Sequence, residues 1–111
     1  MAAFRIGFLP DDPLAASAAF YAEILPQVLE RLASGEPAIT LIFDPAGHVH
    51  RDWREAAIAT LAREKAPVRI NGIAGDDEAA ISASLAYLDS AGGITGQYLP
   101  LDSAGAGSVV R

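Results

Sequence analysis

Apolar and polar positions follow two different periods between Val68 and Asp102, and this divides the stretch into three elements. β-branched residues stand close together at its start, as expected for a strand: Val68, Ile70 and Ile73. Asp77 then occupies a helix N-cap position, and the apolar positions that follow repeat every three to four residues until Gly92-Gly93. A second apolar run, Ile94–Leu101, predicts another strand. This strand–helix–strand order is typical of a parallel sheet.

The amino-terminal residues predict a strand at the edge of this sheet. Phe4, Ile6 and Phe8 alternate with a charged residue and a glycine. Such alternation is typical of a strand that buries one face better than the other. A proline closes the run two residues later, so we expect the strand to end there.

A long helix, Pro13–Ser34, is predicted next. Asp11-Asp12 supplies an N-cap carboxylate, and Gly35 suits the end of the helix. The apolar residues form two adjacent stripes, with Phe20 and Ile24 in the second and the following residues in the first: Leu14, Ala18, Tyr21, Leu25, Val28 and Leu32. Because Pro26 lacks an N–H group, we expect a bend near Ala22.

The run Ala38–Phe43 is almost continuously apolar, which predicts a central strand covered on both faces. A loop over residues 44–51 follows. Asp52 and Glu55 then predict a capping box for a helix that ends near Lys65. Several alanines of this helix leave little side-chain bulk, so a second helix could approach closely: Ala56, Ala57, Ala59 and Ala62.

Together these elements predict a three-layer, Rossmann-like α/β domain with a four-stranded parallel sheet over residues 1–102. We expect the tail, residues 103–111, to be ordered only in part. The net charge of the 111 residues is −6 at pH 7, which argues against binding to nucleic acid or to an anionic membrane. The chain has no cysteine and no apolar stretch that would span a membrane, so we predict a cytoplasmic protein.

Several segments of this chain resemble the C-terminal half of the short-chain dehydrogenase/reductase (SDR) family. They match a helix end of the form L-A-x-E, a strand I-R-V-N-x-I-A, a helix end of the L-A-S type and a strand T-G-Q-x-L-x-V-D: Leu61–Glu64, Val68–Ala74, Tyr87–Ser90 and Ile94–Asp102. Ile24-Leu25-Pro26 and Ile39–Phe43 extend the likeness towards the amino terminus. The resemblance implies a truncated SDR fold. It also implies a left-handed last crossover, with the third helix on the opposite face of the sheet from the first two.

The resemblance also implies a reductase chemistry whose residues this chain lacks. The family uses a serine at the end of a strand, then a tyrosine and a lysine four residues apart, with the tyrosine as the proton donor. The corresponding positions hold Asp44, Gly47 and Arg51, and the segment contains no tyrosine. The glycine-rich turn that binds a pyrophosphate is missing too, since Asp11-Asp12 follows the first strand. We therefore predict no catalytic residue and no cofactor.

Histidines and aspartates cluster just after the central strand, where open α/β sheets bind ligands: Asp44, His48, His50 and Asp52. Their H-x-H-x-D spacing resembles metallo-β-lactamase-type hydrolases, but Trp53 stands where that motif needs a histidine. Asp52 is better explained as a helix cap. We predict no bound metal. The alternative is a small metal-dependent hydrolase, or a ligand-binding protein, that uses the Asp44–Asp52 loop with Asp44, His48 and His50 as candidate ligands.

The main functional hypothesis is a non-catalytic SDR-like protein that self-associates or docks on a full-length SDR relative. The first helix has more apolar surface than one sheet face can cover, and the resembled family pairs its subunits through the corresponding two helices. We predict a homodimer in which Pro13–Ser34 and Asp52–Lys65 of two copies pack together, with these interface residues: Phe20, Tyr21, Ile24, Trp53, Ala56 and Ala57. The rival is that these residues only complete the core of one chain.

Overall fold

A computed structural model describes residues 2–101, so the predicted tail lies outside the described part of the chain. The strands are β1 (Ala2–Arg5), β2 (Ala38–Phe43), β3 (Arg69–Ala74) and β4 (Tyr98–Pro100). The helices are α1 (Pro13–Ala19), α2 (Leu25–Ala33), α3 (Arg51–Glu64) and α4 (Glu78–Ser90). A π-helical segment, Phe20–Ile24, joins the first two helices, and a 3-10 turn, His48–His50, precedes the third. Within residues 2–101, none of the helices has the length and apolar character that crossing a membrane requires.

The four strands form one parallel sheet in the order β1-β2-β3-β4, which confirms the predicted fold class. Residues of α2 and α3 share a buried core with one face of the sheet, whereas α4 packs on the other face. Each new strand is added on the same side of the previous one. The connection through α4 therefore has the opposite hand from the first two connections, as the SDR resemblance implied.

The first strand is at the edge of the sheet, as predicted, but it is shorter than the alternating pattern suggested. Ala2 and Ile6 are buried, and the Ile6 N–H still donates to the Ile42 carbonyl at 3.0 Å. Gly7 has φ 79°, a conformation that turns the chain out of the strand direction. As a result Phe8 is 86% exposed, and the prediction that it belongs to the buried face of the strand is wrong.

The predicted interruption of the first long helix takes the form of the π-helical segment. The Leu25 N–H donates to the carbonyl of Phe20, five residues earlier. Since Pro26 has no N–H, the α-helical bonding pattern cannot continue through it, and a π-helical segment is one way to accommodate that loss. Gly35, with φ 99°, follows the end of α2 as predicted.

Aspartate caps begin two helices as predicted, but the third helix begins differently. Asp12 accepts a hydrogen bond from the Ala15 N–H at 2.8 Å, and Asp77 caps α4 in the same way. Helix α3 begins at Arg51 without a side-chain cap, so the predicted capping box is wrong. Asp52 lies inside its first turn, and Glu55 pairs with Arg51 at 2.8 Å.

The segment before β4 is held to β3 by a buried asparagine. Asn71 is 1% exposed; its Oδ1 accepts from the Gln97 N–H at 3.0 Å and its Nδ2 donates to the Ile94 carbonyl at 3.1 Å. Thr95 accepts from the Ile70 N–H at 3.0 Å. These bonds explain why the I-R-V-N and T-G-Q patterns occur together. They also shorten β4 to three residues, because the preceding residues bond to Asn71 and Ile70 instead of extending the strand.

Candidate functional site

A cleft of about 370 Å³ lies where β1 and β2 end, at the edge of the sheet where open α/β folds bind ligands. We call it the Arg54 cleft. It is lined by the residues after β1, the loop after β2 and the start of α3. His50 and Arg54 are its most buried side chains, whereas Asp11 and Asp44 are exposed. The cleft therefore combines a buried cation with carboxylates at its entrance.

Arg54 is 3% exposed, and its hydrogen bonds go to neutral acceptors. Nη1 donates to the Asp44 carbonyl at 2.9 Å and to the Tyr98 hydroxyl at 3.1 Å. Nε is buried and has no partner within the described residues. None of the ion pairs in residues 2–101 involves Arg54. A buried guanidinium without a carboxylate partner is unusual, because charges are costly to remove from water.

Aromatic rings surround this guanidinium and compensate for part of the cost of its burial. Its Cζ lies 4.6 Å from the centre of the Phe43 ring and 5.7 Å from the centre of the Trp53 ring. Phe43 also packs against Phe20, Trp53 and Tyr98, with ring centres 5.7–6.1 Å apart. Each cation–π contact contributes about 0.5–2 kcal/mol, so the rings hold Arg54 in place without neutralising it.

His50 ties together the two chain segments that form the Arg54 cleft. Its Nδ1 accepts a hydrogen bond from the Trp53 indole at 3.0 Å, and its Nε2 lies 2.8 Å from the Asp11 carbonyl. An indole N–H can only donate, so Nδ1 must carry no proton. The proton is then on Nε2, which donates to Asp11. Both ring nitrogens of His50 are engaged, and a metal could bind this histidine only after one of these bonds breaks.

The candidate metal ligands do not form a site. Asp44 and His48 are exposed, whereas His50 is 6% exposed and bonded as described. Within residues 2–101, no three histidine, aspartate or glutamate side chains stand close enough together to hold a metal ion. The prediction that Asp52 caps α3 is wrong, because this helix has no side-chain cap. Asp52 is exposed in the first turn of the helix.

A family model described as SDR-like, short chain dehydrogenase-like protein, matches residues 4–101. The chain is a member of this SDR-like family. Comparison with curated proteins gave no match, and comparison with solved structures gave none either. The matched range includes β2, β3, β4 and the second half of β1, so it spans nearly the whole sheet.

The positions that the SDR resemblance assigns to the family's serine, tyrosine and lysine lie around the end of β2. Asp44, in the serine position, is exposed directly after the strand, and Gly47, in the tyrosine position, precedes the 3-10 turn. Arg51, in the lysine position, pairs with Glu55. The nearest tyrosine hydroxyl to Arg54 in the described hydrogen bonds is that of Tyr98, which comes from β4 and not from the segment that carries the family's tyrosine.

The predicted interface residues separate into three groups by their exposure. Phe20 and Ala57 are 0% and 1% exposed, so they belong to the core of the single chain and we remove them from the interface. Ile24 and Trp53 are partly buried against that same core. Tyr21 is 46% exposed. Ala56 is also exposed and lines a groove of about 510 Å³ between α3 and β4.

Sequence reasoning did not identify Arg54 or Tyr98, although the sequence carried a signal for the arginine. Residues 54, 57, 58, 61 and 62 repeat with the helical period and form the buried face of α3. A charged residue on such a face needs either a structural partner or a ligand. Tyr98 carried no comparable signal, because its proximity to Arg54 depends on how β4 pairs with β3.

Proposed function

We propose that this SDR-like chain is a non-catalytic domain that acts by association, and that its first partner is a second copy of itself. Asp44 and Gly47 occupy the positions of the family's serine and tyrosine. Gly47 cannot replace the tyrosine as a proton donor, since glycine has no side chain. A cytoplasmic location belongs to the same proposal, and a cysteine-free sequence is compatible with it.

The outer face of α1 and the π-helical segment is the observation that carries the proposal. The first apolar stripe of the long helix does not face the sheet at its amino-terminal end: Leu14 is 82% exposed and Tyr21 is 46% exposed. Ala18, between them, is exposed too. Partly buried apolar residues border this stripe: Ile24, Leu25 and Leu29. We call Leu14, Ala18 and Tyr21 the outer stripe.

Helix α3 offers a second contact region. It packs beside α1, and its exposed residue Ala56, which lines the groove between α3 and β4, is small enough to let another helix approach closely. The resembled SDR enzymes pair their subunits through the two corresponding helices. That correspondence supports a dimer in which the outer stripe and Ala56 meet the same residues of the partner across a two-fold axis.

The expected dimer is weak. Full burial of Leu14, which is 82% exposed, contributes about 1.5–3 kcal/mol, whereas Tyr21, which is 46% exposed, contributes about half as much. Each residue occurs twice in a two-fold dimer, so the total of about 4–9 kcal/mol is comparable with the cost of association, about 4–15 kcal/mol. We therefore expect a dimer that forms at micromolar concentrations and dissociates on dilution.

Light scattering coupled to size exclusion, repeated over the micromolar range, tests this proposal. The expected mass rises with concentration from 11.5 kDa towards twice that value. Tyr21→Arg and Ala56→Arg should each keep the protein at 11.5 kDa. Tyr87→Arg is the matched control, because Tyr87 is 55% exposed and lies on α4 at the opposite face of the sheet.

Two results would contradict the proposal. A constant mass of 11.5 kDa at every concentration rejects self-association, and docking on a full-length SDR relative then becomes the hypothesis to test. A dimer that survives both arginine substitutions but dissociates with Tyr87→Arg rejects this interface. Circular dichroism of each variant shows that the change in mass does not reflect unfolding.

A further inference from the structure

The Arg54 cleft contains a buried cation that lacks an anion. Arg54 is 3% exposed, bonds only to the Asp44 carbonyl and the Tyr98 hydroxyl, and leaves Nε without a partner in the described residues. Hydrogen bonds between a guanidinium and a carboxylate are stronger than those to neutral acceptors. A carboxylate that enters this cleft would therefore gain more at Arg54 than at an exposed arginine.

The entrance of the cleft carries the opposite charge. Asp11 and Asp44 both line it, both are exposed, and neither forms an ion pair within residues 2–101. A simple anion would be repelled by these two carboxylates on its way to Arg54. A ligand with a cationic group next to its carboxylate would satisfy both charges at once.

Apolar surface completes the cleft. Phe8 and Val49 line it and are 86% and 57% exposed, and the partly buried Leu9 lines it too. Side chains this exposed gain free energy when an apolar group covers them, about 25 cal/mol per Å². The volume of about 370 Å³ lies at the lower end of the range for small-molecule sites.

Hydrogen bonds connect the chain segments that line the cleft. The Asp11 carbonyl accepts from His50 at 2.8 Å, and the Asp44 carbonyl accepts from Arg54 at 2.9 Å. Both bonds use backbone carbonyls, so the two aspartate side chains remain available to a ligand. A site that needs little rearrangement loses less free energy on binding.

We propose that the Arg54 cleft binds an apolar α-amino acid. The carboxylate of the ligand binds Arg54, its ammonium group lies between Asp11 and Asp44, and its side chain covers Phe8 and Val49. This inference is independent of the proposed dimer, whose surface lies on the outer stripe and Ala56.

Titration of the ¹⁵N-labelled full chain, followed by NMR, tests the inference with three ligands. L-Phenylalanine has all three groups, 3-phenylpropionate lacks the ammonium group, and phenethylamine lacks the carboxylate. We expect saturable shifts of the amide signals of Phe8, Val49 and Arg54 with phenylalanine, and binding at least tenfold weaker for both analogues.

Asp44→Asn removes one carboxylate but keeps the backbone carbonyl that Arg54 bonds. Phenylalanine affinity should fall at least tenfold, whereas that of 3-phenylpropionate should not fall. Glu30→Gln is the matched control, because it also removes an exposed carboxylate but lies on α2. It should change neither the affinity for phenylalanine nor that for 3-phenylpropionate. Arg54→Lys tests the guanidinium that we expect to bind the ligand carboxylate. If this buried variant does not fold, Asp44→Asn still tests the proposal.

Three results would overturn the inference. The first is the absence of saturable shifts with phenylalanine up to about 10 mM, a weaker affinity than a millimolar site would have. The second is equal affinity for phenylalanine and 3-phenylpropionate. The third is a phenylalanine affinity that Asp44→Asn leaves unchanged.

Discussion

Trp53 donates its indole N–H to Nδ1 of His50, with 3.0 Å between the two nitrogens. The two residues lie one turn apart at the start of α3, and the other ring nitrogen of His50 lies 2.8 Å from the Asp11 carbonyl. A single imidazole thus connects the segment after β1 to the first turn of α3. The bonding pattern also fixes the tautomer of His50, since the indole N–H can only donate a hydrogen bond and the Asp11 carbonyl can only accept one.

We therefore expect His50 to be the Nε2–H tautomer at pH 8, where an unperturbed imidazole is neutral. Long-range ¹H–¹⁵N NMR correlations distinguish the two ring nitrogens. Trp53→Phe removes the indole donor, but the Asp11 carbonyl can only accept, so Nε2–H should remain the main tautomer of His50. His48, which is exposed, provides the reference for an unconstrained histidine. A protonated Nδ1 in the unmodified chain would contradict the assignment.

A second prediction is that the chain does not bind nicotinamide cofactors. The amino terminus of α1, which follows β1, already has the Asp12 carboxylate as its cap, and Asp11 adds a second negative charge. Both would repel a pyrophosphate at this position. Calorimetric titration with NAD(H) and NADP(H) should give no measurable heat of binding. A dissociation constant of about 1 µM, equivalent to about −8 kcal/mol, would refute the prediction.

The sequence predicted the parts of the fold that depend on local pattern. The boundaries of β2, Ala38–Phe43, follow from its continuous apolar run, and Asp12 and Asp77 cap their helices because an N-cap depends only on nearby residues. Phe20 shows what a local pattern does not predict. Its place in the periodic pattern fits either a core or an interface, and only the packing of Phe43 and Trp53 against it decides for the core.

The sequence predicted where the candidate site lies but not which residues determine its chemistry. The loop after β2 lines the cleft as expected for an open α/β sheet, yet its chemistry depends on Arg54, one turn into α3. The bonds of Arg54 reach the Asp44 carbonyl and a hydroxyl from β4, 44 residues away in sequence. Spacing motifs such as H-x-H-x-D contain no information about such contacts, which arise only when the strands pair.

Replacing the buried arginine should test how much of the fold depends on it. Arg54→Ala leaves the Asp44 carbonyl and the Tyr98 hydroxyl without their donor and opens a cavity next to Phe43. We expect the free energy of unfolding to fall by about 2–5 kcal/mol. Arg51→Ala, three residues earlier on the same helix, removes only an i,i+4 surface pair and should cost about 0.5 kcal/mol or less. Urea unfolding of both variants gives the comparison, and similar losses would show that Arg54 is not a core contact.

Gly72 offers a test of the packing between β3 and α3. A Cβ atom at this position would lie 3.0 Å from both Cγ1 and Cδ1 of Ile58 and 3.3 Å from Cε2 of Phe43. Ile58 is fully buried, so it has little room to move, and Gly72→Ala should lower the free energy of unfolding by about 1–3 kcal/mol. Gly92→Ala, where an added Cβ meets nothing within 4 Å, is the matched control and should have little effect.

The cause of that loss can be separated from a general intolerance of alanine in β3. Ile58→Val removes Cδ1, one of the two Ile58 atoms that the new Cβ would meet, at a cost of about 0.5–1.5 kcal/mol by itself. In the Ile58→Val background, Gly72→Ala should therefore be less destabilising than in the unmodified chain. A double-mutant cycle by urea denaturation measures this coupling energy. Strict additivity of the two changes would show that the contact with Cδ1 of Ile58 does not cause the loss of stability.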